Sequence, residues 1–209
     1  MRGKGTVIVR IWEGLGNQLF QYAYARALCD KGIDVKLDLN KAYDDTFPKP
    51  RNHDQRQNSI QNFNLTLPEI DVEEYGKYAY IRQESLRDRL LFQLAVHGLW
   101  KYKFYEEVIS QYSRKSSSIK GNYYVKGWFQ EESYFRQIRQ ILLKELTPKK
   151  KIKLPKKLRQ AIEYNESVAL HVRRGDYVRT HNTSSAEYYR KAIAYMKDYY
   201  SNPHFLVFS

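Results

Sequence analysis

Val168-Ala-Leu-His171-Val-Arg173-Arg174-Gly175-Asp176-Tyr177 decides how the rest of the chain is read. An apolar run opens it, and charge and glycine close it. Glu166 to Val172 has the length and apolar density of a buried strand in a parallel sheet, so the polar residues fall at its C-terminal tip. Open α/β sheets bind their ligands there. Two adjacent guanidiniums, a carboxylate close enough to orient one of them and a glycine for a tight turn make a fork for a phosphate or diphosphate. Lysines would carry the charge without the planar bidentate geometry. A solvated arginine pair with Asp176 as a turn residue is the plain alternative on composition alone.

Outward from this strand the chain reads as a βαβ unit. A short helix near Leu158 to Tyr164 precedes it. Behind it, Ser184-Ser-Ala-Glu187 offers a capping box, and Ala186, Tyr189, Ile193, Met196 and Tyr200 mark an amphipathic helix. Asn202-Pro203 ends that helix, and Phe205 to Ser209 reads as the next buried strand. Two parallel strands with so few helices cannot cover both faces of a sheet, so this domain is expected to be incomplete. Upstream, Lys149 to Lys157 holds six lysines in nine residues. It reads as a solvated linker between domains, with a lipid-facing patch as the lesser alternative.

A second βαβ unit opens the chain. Thr6 to Trp12 reads as a strand, Glu13-Gly14-Leu15-Gly16-Asn17-Gln18 as a turn, and the residues to about Lys31 as a helix stopped by Gly32. Ile33 to Leu39 alternates as the next strand. The glycine turn therefore lies at a helix N-terminus, where free N–H groups favour an anion. Asn40 to about Ile81 shows no steady period and reads as loops and short elements. Glu84 to Trp100 is expected to be helical, with Leu86, Leu90, Leu91 and Leu94 as a core stripe. Tyr123 to Trp128 reads as a short strand and Glu131 to Leu146 as a helix with Tyr134, Phe135, Ile138, Ile141, Leu142 and Leu146 apolar.

With 209 residues and 42% hydrophobic content the chain is globular, of one large or two small domains. A formal charge of +13 calls for acidic partners. The single cysteine, Cys29, excludes an internal disulfide and fits a reducing compartment. The first apolar run is too short and too charged for a signal peptide or membrane span, so a cytoplasmic protein is expected, with peripheral contact at the inner face of an anionic membrane. Nucleic acid is not an expected partner, because the tyrosines fall at core spacing and no binding signature occurs. A nicotinamide-binding fingerprint fails because its third glycine would fall at Leu19.

Three stretches, met in this order, carry a family resemblance: Gly14-Leu-Gly-Asn-Gln-Leu-Phe-Gln-Tyr-Ala23, Gly127-Trp-Phe-Gln-Glu-Glu-Ser-Tyr-Phe135 and His171-Val-Arg-Arg-Gly-Asp-Tyr-Val178. They resemble the successive signatures of the bacterial α-1,2-fucosyltransferases of glycosyltransferase family 11. The resemblance implies an α/β fold, a GT-B-like pair of Rossmann-type domains, the second incomplete. Residues 1–148 would be the acceptor-side domain, 149–157 the linker and 158–209 the start of the GDP-fucose-binding domain, with the ligand in the cleft between them. It further implies inverting transfer of L-fucose from GDP-β-L-fucose to the 2-hydroxyl of a galactose-containing glycan, in surface glycan synthesis, with no metal and no other cofactor. By position, Arg173 and Asp176 would be catalytic, Arg173 gripping the β-phosphate. Gly14, Gly16, Asn17, His171, Arg174 and Asp176 would complete the donor site.

The residues themselves agree on one point. No Asp-x-Asp pair is present to hold a metal, so arginine must neutralise the departing diphosphate. Inversion also needs a base for the acceptor hydroxyl, and Glu13, Asp176 and Glu187 are the candidates, each with a structural alternative. Glu13 departs from the family's pattern, which has a small residue, commonly glycine, at that place. Family members also continue past Ser209 into an acidic segment and a Ser/Trp-rich motif. The chain is therefore expected to be a truncated form without transferase activity, or an inactive relative that keeps glycan or partner binding.

Overall fold

The computed structural model describes residues 5–39, 58–107, 114–117, 119–151, 153–163, 166–174, 178 and 183–209. The chain divides into two compact units, Met1–Lys150 and Lys151–Ser209.

The first unit is built on β1 (Thr6–Arg10), whose centre, Val7-Ile8-Val9, is buried on both faces. Such an unbroken β-branched run fits an interior parallel strand. Its neighbours are β2 (Asp34–Asp38) and β4 (Tyr123–Gly127), and β3 (Lys103–Glu107) lies at the far edge. All pairings are parallel, in the order β2-β1-β4-β3, with Val7 opposite both Val35 and Tyr123.

Helix α1 (Leu15–Asp30) links β1 to β2, and Gly32, at φ +78°, turns the chain out of it in the left-handed conformation that glycine adopts freely. The short α4 (Arg114–Ser117) lies between β3 and β4 in the chain. These two links move the same way across the sheet, so right-handed crossover places them on one face. The core confirms this: Val7, Val9 and Val125 pack with Tyr22, Ala23 and Ile119, joined by Ile138 and by Leu142 of α5 (Arg139–Glu145). The link from β2 back to β3 runs the other way and takes the opposite face. There Ile8, Phe104 and Tyr124 meet Tyr78, Tyr80 and Ala95, with α2 (Val72–Gly76) and α3 (Leu86–Val96) on that link.

Two sequence expectations change in this unit. Leu86 and Leu90 do not belong to a core stripe, being 83% and 62% exposed. Helix α3 instead turns Leu91, Phe92 and Ala95 inward, because Ala95 is small enough for close approach and Phe92 packs on Phe104 at 5.0 Å. The helix expected over Glu131 to Leu146 is broken into two 3-10 turns, Glu132–Tyr134 and Arg136–Ile138, before α5. Strand β3, whose Lys103-Phe-Tyr-Glu-Glu107 alternates only weakly, had no sequence expectation.

The second unit holds α6 (Lys156–Glu163), β5 (Glu166–His171), α7 (Ala186–Tyr199) and β6 (Pro203–Phe208). β5 and β6 pair in parallel, with Val168 opposite Phe205. The expected burial of these strands is not found: none of the described residues of this unit is buried. A two-stranded sheet with α6 against β5 leaves apolar side chains such as Val207 and Phe208 open to solvent, at 63% and 50% exposure. Ser185 caps α7 by accepting from the Tyr188 N–H at 3.1 Å, while Glu187 pairs with Lys191 rather than closing a capping box. Among the described residues no helix is long and apolar enough to cross a membrane.

Candidate functional site

The chain leaves the two central strands, β1 and β4, by turns that glycine would make more easily. Glu13 sits at φ +65° and Phe129 at φ +51°, both in the left-handed region. Phe129 is held there by complete burial and by stacking on Tyr24, 3.8 Å between centroids and 4° from parallel. Gly127 just before it tolerates no side chain, since a Cβ would lie 2.7 Å from the Phe129 ring and 2.8 Å from the Cβ of Glu107.

Two buried glutamines of α1 stitch these exits together. Gln18 donates Nε2 to the Glu13 carbonyl at 2.7 Å and accepts from the Ile60 N–H at 3.0 Å. Gln21 accepts from the Trp12 N–H at 2.8 Å and donates to the Gly127 carbonyl at 3.1 Å. Buried backbone groups must be paired, and here two side-chain amides pair those of both loops. The first and second motif stretches are thus in direct contact. The signal was present in the sequence as two glutamines, three residues apart, among the apolar Leu19, Phe20, Tyr22 and Ala23.

Above this layer lies a half-buried set of larger side chains. The Glu13 carboxylate accepts from Asn17 Nδ2 and from Trp128 Nε1, the latter at 3.0 Å. Asn17 Oδ1 in turn accepts from Gln130 Nε2 at 2.6 Å. Trp12 and Trp128 pack with ring centroids 5.6 Å apart and planes tilted by 35°. Lys126 Nζ lies 5.0 Å and the Arg10 guanidinium 5.9 Å from the Trp12 ring centroid, within reach of its negative face. Gly14 stands as the N-cap of α1 without a side-chain cap bond, and Gly16 is exposed with open space where a Cβ would go. Of the residues expected in the turn, Gly14 is the N-cap, whereas Gly16 and Asn17 already lie in the first turn of α1, which starts at Leu15 rather than after Gln18; Trp12, Trp128 and Gln130 were not among the expected site residues. Tryptophan directly after a parallel strand was the available sign.

Among the described residues of the first unit, three carboxylates are buried. Asp38 accepts from the Tyr124 hydroxyl, and burial raises that phenol well above its usual range. Glu107, at the end of β3, accepts from Tyr134 at 2.7 Å, and Tyr134 also bonds Ser116 at 2.7 Å. Burial raises the Glu107 carboxyl above its ordinary value, partly opposed by the Tyr134 bond. Glu145 is the opposite case. Burial would raise it, but hydrogen bonds from Tyr22, Arg26 and Thr66 outweigh burial and hold it below the ordinary carboxyl value.

In the second unit His171 ends β5 and is exposed, and the Val172 N–H bonds the Phe208 carbonyl at 2.7 Å. Arg173 and Arg174 follow at once, both exposed. The strand therefore leads into two exposed arginines at its C-terminal tip. Asp176, with Gly175 and Tyr177, lies outside the described residues. Of the other base candidates, Glu187 is exposed and paired with Lys191 at 2.9 Å on its own helix.

Residues 6–209 match the family model described as Glycosyl transferase family 11. The chain belongs to that family. Among family 11 relatives, an alpha-1,2-colitosyltransferase of Escherichia coli is 30% identical, over 97% of this chain and 68% of its own length. The O-antigen biosynthesis glycosyltransferase WbnK of Escherichia coli is 28% identical, over 94% of this chain and 70% of its own. A crystal structure of the fucosyltransferase NodZ from Bradyrhizobium aligns with a TM-score of 0.38 and 15% identity, over 98% of this chain and 70% of that one.

Proposed function

We propose that this family 11 glycosyltransferase moves L-fucose from GDP-β-L-fucose to the 2-hydroxyl of a galactoside, with inversion, in the synthesis of a surface glycan such as O-antigen. The observation that carries the reading is the arginine pair of the His171-Val-Arg173-Arg174 motif at the exposed tip of β5, in a chain whose family is shown. In this reading the two units are GT-B-like domains and the second takes the donor. The acceptor 2-oxygen bonds to the anomeric carbon as the bond from that carbon to the β-phosphate oxygen breaks. The hydroxyl proton passes to a base, and the diphosphate leaves with added charge. Arg173 and Arg174 offer planar N–H forks to that charge, Asp176 orients one of them, and His171 lines the site. The exposed lysines of residues 149–157 add contact with an anionic membrane face.

One observation favours a second reading. The relative at 30% identity is named for colitosyl transfer with the same α-1,2 linkage, so the transferred sugar would be colitose. Parallel assays with GDP-fucose and GDP-colitose on a β-galactoside decide between them by product. Arg173→Lys keeps the charge but not the fork, and GDP affinity by calorimetry is expected to fall at least tenfold, about 1.4 kcal/mol. Unchanged affinity together with unchanged turnover overturns the assignment. Transfer is expected to survive EDTA, and a loss restored by manganese or magnesium counts against arginine as the group that neutralises the diphosphate.

A further inference from the structure

The Trp12–Trp128 pair has no role in the reading above. It lies in the first unit, at the C-terminal end of the two central strands, where an open parallel sheet presents its ligand surface. It is built rather than incidental. Trp12 follows β1, Trp128 follows β4, and the Gln21 amide holds the backbone at both exits. Trp128 is fixed in rotation because its Nε1 donates to Glu13 Oε2 at 3.0 Å. Glu13 holds that position from left-handed backbone, a strained conformation for a residue with a side chain. Such strain is retained where the surrounding contacts fix it, and it clusters at binding sites.

The chemistry of the surface narrows its ligand. The two rings touch each other at 5.6 Å, so nothing planar inserts between them, and together they make a tilted shelf. Aromatic faces carry negative charge density and attract the weakly positive C–H bonds on one face of a pyranose. Both neutral N–H donors to the Glu13 carboxylate bond one oxygen, Oε2, which leaves Oε1 as an acceptor for a hydroxyl. Asn17 and Gln130 add amide groups beside it. An apolar platform edged by a few oriented polar groups is the usual form of a small-molecule site. The Glu13 carboxylate makes the Trp128 edge of the shelf negative, unlike the arginine pair, while the Lys126 and Arg10 cations lie against the Trp12 ring.

We propose that Trp12, Trp128 and Glu13 form a saccharide-binding shelf that takes the pyranose ring of a neutral glycoside, with Trp128 stacking and Glu13 positioning both the indole and a sugar hydroxyl. As the acceptor subsite, the shelf rests on the transferase reading; as a binding site it stands without it.

The test uses the full chain with methyl β-D-galactopyranoside and lactose as probes, read by saturation-transfer NMR and tryptophan fluorescence, with GDP titrated separately by calorimetry. The expected result is saturation of the sugar C–H protons and a fluorescence change on sugar addition. Trp128→Ala should weaken binding at least tenfold, and Trp128→Phe and Glu13→Gln several-fold. Trp100→Phe, in the cluster on the other face of the sheet, should leave sugar binding unchanged. Arg173→Lys should weaken GDP while leaving the sugar response as it was. Near-ultraviolet circular dichroism identifies any variant that has lost its fold, and Trp128→Phe and Glu13→Gln then decide alone. Sugar binding without GDP binding supports the shelf and defeats the transferase reading. GDP binding with no sugar response, a response unchanged in Trp128→Phe and Glu13→Gln, or guanosine displacing the sugar overturns the shelf.

Discussion

Glu107 and Glu145 are both buried carboxylates of the first unit, and they pull stability in opposite directions with pH. Burial sets Glu107 above its ordinary value, so the folded chain holds that proton more tightly than the unfolded chain does. Its contribution is full below the unfolded value of 4.5 and is lost as pH rises through the folded one. Glu107→Gln keeps an acceptor for Tyr134 and removes the charge, so its melting temperature at pH 7 is expected to exceed that of the parent. The difference should vanish near pH 4, and a lower melting temperature at pH 7 would refute the assignment. Glu145 behaves the other way. Its value is depressed, so its contribution is present above the unfolded value and is lost as pH falls through the folded one. Glu145→Gln leaves Arg26 without its charged partner and should cost roughly 1.5–3 kcal/mol at pH 7, the usual worth of a hydrogen bond to a charged group. Urea unfolding at pH 7 and pH 4 checks it, and a cost that does not shrink in acid would sink the sign.

At the scale of elements, α3 separates what periodicity encodes from what packing selects. Leu86, Leu90 and Leu94 recur at helical spacing, and the element does form there, capped by Ser85 with Asp88. Periodicity fixes a stripe without saying which side of it the sheet will meet. The sheet meets Phe92 and Ala95, because the smallest side chain permits the closest approach. Ala95→Leu therefore overfills the contact and should cost about 1–3 kcal/mol. Leu86→Ser, at a site 83% exposed, should stay within about 0.5 kcal/mol. Equal losses in chemical denaturation would show that the stripe is core after all. The same limit explains the rest of the fold's legibility. β1, α1, β2, β4 and α7 carry strong runs or caps and could be read, as could the turn into α1 at Gly14, although α1 begins at Leu15 and takes in Gly16 and Asn17. Strand β3 owes its place to Phe104 packing on Phe92, and the turns before α5 to Tyr134 bonding Glu107 and Ser116. Those partners lie far apart in sequence, so no local pattern announces them. The Trp12–Trp128 contact was hidden for the same reason, although a tryptophan just past each strand was a local sign of it.

Across the whole molecule, burial is divided unevenly between the two units. In the first, Val7, Ile8, Val9, Ile11, Tyr22 and Tyr24 are all within 1% of full burial, and the sheet has a packed layer on each face. In the second, none of the described residues is buried, and β5 and β6 rely on one ladder from Glu166↔Pro203 to His171↔Phe208. Backbone hydrogen bonds open most easily where little apolar surface is lost on opening. Each buried apolar side chain contributes roughly 1.5–3 kcal/mol, so an element that lacks them opens at a small fraction of the global unfolding energy. Native-state hydrogen exchange should show this directly. Amides of β1, β4 and α1 are expected to exchange only by global unfolding, with rates that track denaturant stability. Those of β5 and β6 should exchange at least a hundredfold faster, a difference of about 2.7 kcal/mol in opening energy. The arginine pair would then follow directly on a strand less stable than β1, and bound GDP should slow exchange in β5 while leaving β1 unchanged. Equal protection of β5 and β1 in the free protein would show that the second unit shares a cooperative core with the first.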